Sequence, residues 1–291
     1  MKRLLVRAFL AALLGLLILA GYVWSGLPAR EAVRRLARET PTETSLMRQR
    51  SREAERTGRK ARREKAWVPL ARISRHLIHA VITAEDARFF GHEGVDWEAI
   101  RESAERNLER GRFSRGGSTI TQQLAKNLYF TTDKSLIRKL RELIVTWWLE
   151  ADLRKTRILE LYLNLIEWGD GVYGCEAAAR RYYGRSAANL DEATAAGLAA
   201  MIPNPRRLNP LVNPRRHARA QQRILWLMAQ AGYARSAVAG LGAEPPPVEV
   251  DETEPDEMPL AVAPAVEAPV TTLAAPEATP SPSPEAPPTP R

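Results

Sequence analysis

The sequence has few of the residues that cross-link small domains or bind structural metals. Its 291 residues include one cysteine and four histidines. A single cysteine excludes an internal disulfide framework and any cysteine-rich zinc site, and the histidines show no HExxH spacing. Because 45% of the residues are hydrophobic, the chain is long enough to stabilise one or two globular domains by an apolar core alone.

Acidic residues are scarce outside the C-terminal tail. Residues 244–291 hold ten of the 34 acidic residues and one of the 43 basic residues, which leaves residues 1–243 with a net charge of +18. So basic a segment is expected to bind an anionic partner. Charge alone leaves three classes open: nucleic acid, a membrane surface or a phosphorylated substrate.

A long apolar run without charges lies near the N-terminus. Residues 1–7 are basic, and residues 8–27 follow with no charged side chain. A helix over that run would be about 30 Å long, the thickness of a bilayer core, with Tyr22 and Trp24 near its end, where interfacial aromatics are enriched. A cleaved signal peptide would have a shorter apolar region and a small-residue cleavage site. We therefore expect an uncleaved transmembrane anchor, although arginines on both sides leave its orientation undecided.

The rest of the chain divides into three segments by composition. Residues 28–66 are charged and helix-prone, and both a solvated stalk and a surface for anionic lipid head groups are open interpretations. Residues 67–235 show helical spacing of apolar residues without sustained two-residue alternation, which predicts one mostly α domain. Residues 243–291 contain 14 of the 21 prolines, a composition that predicts a disordered tail with polyproline II character.

The first motif with chemical potential is EDARFFGHEG, residues 85–94. It follows an apolar helical run, so Glu85 and Asp86 are expected near a helix end and beside two phenylalanines. A carboxyl group next to apolar side chains has a raised pKa, closer to the range of a general base. The structural alternative is that one of the two acids caps a helix or pairs with Arg88.

The second motif is GGSTITQQLAKN, residues 116–127. Thr119 and Gln122 fit a capping box at a helix start. At about 100° per residue, the helix separates an apolar face from a polar one that carries a single positive charge and no acid. This polar face suits a sugar or a phosphate, and the glycine-rich start leaves backbone N–H groups for an anion. An ordinary amphipathic surface helix is the alternative. The polar face comprises Thr119, Gln122, Gln123, Lys126 and Asn127.

Two further segments are basic. Arg138, Lys139 and Glu142 share one helix face by their spacing, which indicates either a surface salt-bridge cluster or a basic phosphate site with a carboxylate inside it. Lys155 opens the segment KTRILELYLN and would extend a basic cleft. Cys175 is expected to be a small buried residue, because the sequence shows no partner that would activate it.

Taken together, these segments resemble the peptidoglycan glycosyltransferases of glycosyltransferase family 51. The resemblance covers residues 67–230, and Tyr183 stands where phenylalanine is usual. The segment after residue 242 lacks the S-x-x-K, SDN-like and KTG signatures of a transpeptidase, so we expect the monofunctional biosynthetic type. The matches are EDxxFxxHxG over 85–94, GxSTxTQQLxKN over 116–127, RKxxE over 138–142, KxxILExYLN over 155–164 and a proline-rich segment over 199–210.

The resemblance implies a fold and a reaction. The fold would be a lysozyme-like α lobe with a smaller membrane-proximal jaw, and the reaction would be polymerisation of lipid II with inversion and release of undecaprenyl pyrophosphate. Glu85 would be the general base, and Glu142 would assist at the leaving group, directly or through Mg or Mn; no organic cofactor is implied. The residues expected to bind substrate are Ser118, Thr119, Gln123, Lys126, Asn127, Arg138, Lys139 and Lys155.

The implied partners are lipid II, the nascent glycan chain and membrane lipids, with other cell wall synthases as a further candidate and no nucleic acid. The implied location is the inner membrane, with a single span and the catalytic domain on the periplasmic side. Three rival hypotheses remain. They are a lysozyme-like hydrolase or lytic transglycosylase, which needs no pyrophosphate site, a membrane-anchored scaffold without activity, and a nucleic-acid-binding protein, for which no reader motif is present.

Overall fold

The structure, a computed structural model, describes residues 1–110, 117–133 and 135–234. Gly116, the last residue of the predicted 67–235 domain and the predicted disordered tail over 243–291 lie outside these residues. The described part is mostly helical, as the sequence predicts. Its α-helices are α1 (Lys2–Ser25), α2 (Arg30–Arg35), α3 (Ser45–Arg56), α4 (Arg75–Glu85), α5 (Trp97–Arg110), α6 (Ile120–Tyr129), α7 (Leu136–Asp152), α8 (Lys155–Leu165), α9 (Cys175–Tyr183), α10 (Glu192–Ala199) and α11 (Pro214–Gln230).

A small sheet accompanies the helices, and the sequence analysis did not find it. It has the order β1-β3-β2, with β1 (Glu64–Lys65) parallel to β3 (Val172–Tyr173) and β2 (Glu167–Gly169) antiparallel to it. Two- and three-residue strands are too short to show a period of two in the sequence. The sheet ties the segment before α4 to the turn that precedes α9.

The predicted membrane anchor is a helix in the structure. α1 is 24 residues long, and its length and apolar composition suffice to cross a membrane. It begins at Lys2 and ends two residues before the predicted span does. The leucines along α1 are exposed, as expected for side chains that face lipid. Its last turn packs against α7, where the Trp24 and Trp148 rings meet edge to face, with centroids 6.1 Å apart.

The core lies where α4, α6 and α8 meet their neighbours. α4 packs against α10 and α11, and α6 packs between α7 and α8. Side chains along these contacts are fully buried, which supplies the main stabilisation of the fold. They include Leu77, Val81, Ile120, Leu124, Val145, Ile158, Leu161, Leu198 and Ile224.

Helix ends determine where the polar motifs lie. α4 runs from the Ser74 cap to Glu85, so its last residue is the first acid of the EDARFFGHEG motif. α6 begins after Thr119 with the predicted capping box, in which the Thr119 and Gln122 side chains each bond the other's backbone N–H. α7 begins after a Ser135 cap, three residues before Arg138. Each of the three motifs therefore contains a helix end or lies within the first two turns of a helix.

Candidate active site

Glu85 is a buried carboxyl group at the end of α4. Its Oε2 accepts a hydrogen bond from Gln123 Nε2 at 2.7 Å. Burial raises the pKa of Glu85 from the ordinary value to about 7; the nearby Asp86 adds to this rise, whereas the Gln123 bond and the charge of Lys126 oppose it. A carboxyl group that titrates near neutrality, and that still has a donor for its charged form, is suited to accept a proton.

Asp86 has a different environment from its neighbour. Its Oδ2 accepts from the backbone N–H of Ile120 at 3.0 Å, so Asp86 caps the start of α6. Its Oδ1 lies 2.9 Å from His92 Nε2. Since His92 Nδ1 accepts from the Gly94 N–H at 3.1 Å, the imidazole proton is on Nε2 and points to Asp86. The capping alternative raised for one of the two acids is therefore correct for Asp86.

Arg88 pairs with neither Glu85 nor Asp86. Its guanidinium binds Asp96 through two bonds, from Nε at 2.9 Å and from Nη2 at 3.0 Å. It also lies 2.9 Å from Glu98. The predicted alternative of an ion pair between Arg88 and the acidic pair is therefore wrong, and Glu85 keeps the Gln123 amide as its bonded partner.

Backbone N–H groups at the start of α6 donate hydrogen bonds to side chains of the protein. The Thr119, Ile120 and Gln122 N–H groups bond to the side chains of Gln122, Asp86 and Thr119, respectively. The sequence predicts that N–H groups at this helix start bind an anion. In the structure, these three N–H groups are bonded to protein side chains instead. The Thr119 hydroxyl also donates to the Gly94 carbonyl at 2.6 Å, which joins the two motifs.

Two residues of the polar face of α6 act on Glu85. Gln123 bonds Glu85 directly, and Lys126, one turn further along, is close enough for its charge to lower the pKa of Glu85. Lys126 is half-buried and Asn127 is buried. The other end of the Gln123 amide accepts from the Tyr162 hydroxyl at 2.8 Å. Gln123, expected to bind substrate, thus uses both ends of its amide within the protein.

Arg138, Lys139 and Glu142 form a contact group on α7, which we call the α7 cluster. The Glu142 side chain is buried. Arg138 bonds to its Oε1, and Lys139 Nζ lies 3.6 Å from its Oε2. Lys139 Nζ also lies 3.4 Å from the hydroxyl of Ser118, which is exposed just before α6. A buried carboxylate with two cations fixes the direction of both cationic groups.

α6 connects Glu85 to the α7 cluster. Ser118 touches Lys139 at the start of the helix, and Gln123 touches Glu85 little more than one turn later. Ser118 precedes the helix, and from the first helical residue, Ile120, to Gln123 the rise is about 4.5 Å. Contacts to this one short segment therefore connect Glu85 with Lys139.

Lys155 lies elsewhere. Its Nζ pairs with Glu150 at 2.9 Å and sits 4.5 Å from the centroid of the Phe89 ring. Glu150 also accepts from the Thr121 hydroxyl at 2.5 Å. Because Thr121 and Gln123 are two residues apart on α6, they point to nearly opposite sides of the helix. Lys155 therefore lies on the side of α6 opposite to the hydrogen bond between Gln123 and Glu85.

Two groups of residues carry donor atoms that a metal ion could use. In the described residues, donor atoms of Asp86, His92 and Asp96 lie within 4.8 Å of one another, close enough to bind a metal. However, Asp86 and His92 are bonded to each other and Asp96 holds Arg88. Both oxygens of Glu142 likewise face cations. A divalent ion at Asp96 or Glu142 would therefore have to displace a positive side chain.

Comparison with known proteins identifies the family of the chain. The model of the transglycosylase family matches residues 51–229. The chain belongs to the transglycosylase family. It is a peptidoglycan glycosyltransferase of cell wall synthesis, and the resemblance found in the sequence is confirmed.

The relatives are described as biosynthetic peptidoglycan transglycosylases. The protein of Methylobacillus flagellatus is 59% identical over 140 residues, which is 48% of this chain and 61% of the relative. That of Herminiimonas arsenicoxydans is 51% identical over 166 residues, 57% of this chain and 72% of the relative. That of Nitrosospira multiformis is 47% identical over 191 residues, 66% of this chain and 83% of the relative.

One residue near the Glu85 carboxyl group was not predicted from the sequence. The sequence patterns do not single out Tyr162, yet its hydroxyl reaches Gln123. The available signal was a tyrosine on a helix face that is otherwise leucine and isoleucine, since a buried hydroxyl needs a partner. Cys175 is buried, as expected, and burial raises its pKa, so the thiol stays protonated.

Proposed function

We propose that the chain polymerises lipid II into glycan strands, with Glu85 as the general base. The single observation that carries the assignment is the buried Glu85 carboxyl group, whose pKa is raised to about 7 and which is bonded to Gln123. In the proposed step Glu85 removes the proton from the 4-hydroxyl of the acceptor GlcNAc. That oxygen forms a bond to C1 of the donor MurNAc, and the bond from C1 to the diphosphate breaks with inversion. Undecaprenyl pyrophosphate leaves, and the proton stays on Glu85.

We assign the leaving diphosphate to the cations that lie along α6. Lys139 and Ser118 touch each other there, Arg138 is held by Glu142, and Lys126 lies one turn beyond Gln123. Cations fixed before the reaction stabilise charge as it develops on a leaving group. In this assignment Glu142 orients the two cations of the α7 cluster, and Thr119 and Asn127 line the same helix. Lys155 acts indirectly, through Glu150 and Phe89.

We place the protein in the inner membrane with a single span, α1, and with residues 67–235 on the periplasmic side. The length and apolar character of α1 support an anchor. Leu136, Leu140 and Trp147 share a face of α7 and are exposed beside the end of α1. Such a face favours contact with lipid, where a lipid-linked substrate would be met. Residues 28–66 would then be the juxtamembrane segment.

The test is product analysis from labelled lipid II with the purified full-length protein. We expect Glu85→Gln to fold and to lose glycan polymerisation. Glu93→Gln is the matched control, because it makes the same change at an exposed carboxylate of the same motif and should retain full turnover. Wild-type turnover of Glu85→Gln would exclude Glu85 as the base. Release of soluble fragments from purified sacculi would instead favour the rival hydrolytic or lytic activity.

A further inference from the structure

A three-residue hydrogen-bond chain ends on Glu85. The Tyr162 hydroxyl of α8 donates to Gln123 Oε1 at 2.8 Å, and Gln123 Nε2 donates to Glu85 Oε2 at 2.7 Å. Tyr162 is fully buried, and it lies on a different helix from either of the other two residues. The chain therefore links the middle of α8, through α6, to the end of α4.

The hydroxyl of Tyr162 stays protonated at neutral pH. Burial and the neighbouring carboxylates of Glu85 and Asp86 raise the pKa of Tyr162 well above its usual range. A phenol that keeps its proton can donate it to one acceptor, and here that acceptor is the Gln123 carbonyl oxygen. Because a primary amide donates at one end and accepts at the other, this bond fixes which end faces Glu85.

We propose that Tyr162 is a positioning residue for the Glu85 base, acting by orienting the Gln123 amide so that its NH2 group donates to the carboxylate. The inference rests on the proposed function of Glu85. In the opposite orientation, the Gln123 carbonyl oxygen would face Glu85. It could then bond only a protonated carboxyl group, which cannot act as a base.

The charged groups around Glu85 do not replace this arrangement. Asp86, the next residue, adds a negative charge that disfavours ionisation of Glu85. Lys126 on α6 favours ionisation by its charge. The Gln123 amide supplies the directed bond on Oε2. Loss of its orientation should therefore lower the fraction of enzyme with an ionised Glu85 and slow the proton-transfer step.

The experiment compares Tyr162→Phe with wild type in lipid II polymerisation. Phenylalanine keeps the buried ring and removes only the hydroxyl, so packing is preserved. We expect kcat to fall about tenfold, the effect of one hydrogen bond of ordinary net strength, with KM for lipid II unchanged. The acid limb of the kcat–pH profile should also move to higher pH. Tyr183→Phe is the matched control, since it removes a buried hydroxyl on α9 and should leave kcat unchanged.

A double-mutant cycle separates positioning from packing. Gln123→Met removes the amide at similar length, and in that background Tyr162→Phe should have no further effect on kcat. An equal fold-loss in both backgrounds, or wild-type kcat and pH profile for Tyr162→Phe, would overturn the inference. If Tyr162→Phe has no cooperative thermal transition, Gln123→Met is measured alone. An acid limb of its kcat–pH profile that stays at the wild-type pH would also overturn the inference.

The outcomes also separate this inference from the function on which it rests. Activity of Glu85→Gln would remove the proposed base and with it the role of Tyr162. Inactive Glu85→Gln together with fully active Tyr162→Phe would leave the base in place and exclude only the positioning role.

Discussion

The guanidinium of Arg141 donates to the carbonyl oxygen of Val23, from Nε at 3.0 Å. Its Nη2 reaches the carbonyl of Tyr22 at 2.5 Å. These carbonyls belong to the last turn of α1, where the Gly26 N–H also bonds Val23 and the Ser25 hydroxyl also bonds Tyr22. The arginine adds further donors and places a positive charge at the negative end of the helix dipole. The helix that carries the cations of the α7 cluster therefore also holds the end of the membrane anchor.

Removal of Arg141 should loosen this attachment. We expect Arg141→Ala to increase tryptic cleavage at Arg30, just after α1, by several-fold in protein reconstituted into liposomes, because two charge-assisted bonds are lost. Mass spectrometry of the peptides measures the rate. Arg101→Ala is the control, since Arg101 lies exposed on α5 in weak pairs with Glu98 and Glu105. Equal cleavage in both variants would show that Arg141 does not hold α1.

The rate of polymerisation should depend on pH through Glu85. A general base acts in its ionised form, and the pKa of Glu85 is about 7, so kcat should rise from pH 6 to pH 8 and then level off. Steady-state assays across this range measure the limb. The exposed control Glu93→Gln should keep the same profile, and a flat profile in the wild-type protein would contradict the role of Glu85.

The same carboxyl group should reduce stability at high pH. Its pKa is raised on folding, so the folded state binds the extra proton between pH 4.5 and about 7, and stability falls as the pH rises through that window. At pH 8, Glu85→Gln should therefore raise the free energy of unfolding, by up to about 3 kcal/mol.

Urea unfolding of the two proteins at pH 8 and near pH 4.5 tests this effect. The difference should be largest at pH 8 and disappear near pH 4.5, where Glu85 is protonated in the folded state and is becoming protonated in the unfolded state. A difference that stays constant over the range would assign it to a change in packing.

Tyr183 offers a stabilising substitution. Among the described residues, its hydroxyl is a buried polar group without a hydrogen-bond partner, and the family pattern usually has phenylalanine there. Tyr183→Phe removes the unsatisfied group and keeps the ring, so we expect a gain of about 1 kcal/mol in unfolding free energy. Thermal and urea unfolding measure it, with Tyr173→Phe as a second buried tyrosine for comparison. A lower stability would indicate a bond to the hydroxyl.

Local sequence patterns predicted the parts of the site that depend on neighbours in the chain. Glu85 lies at a helix end, Thr119 and Gln122 form the capping box, and Arg138 meets Glu142 one turn away. Each of these follows from spacing within a single helix, where three- and four-residue separations decide contact. The helical class and the anchor follow in the same way from periodicity and length.

Contacts between distant segments could not be predicted in this way. Asp86 caps α6 from 34 positions earlier in the chain, and Tyr162 reaches Gln123 across 39 positions. Lys155 was expected in a basic cleft, but its contacts with Glu150 and Phe89 depend on how α7, α8 and the segment after α4 pack together. One sequence without tertiary information gives no distance between such residues.

α6 lies between the base and the cations, and a helix of this kind neither stretches nor shortens appreciably. In the proposed reaction, the separation between the site of deprotonation and the site of the departing diphosphate is consequently built into the backbone. The enzyme would select its donor by the span from C1, where the acceptor oxygen attacks, to the diphosphate, so donor analogues with an extra linking atom between C1 and the phosphate should react poorly even when they bind.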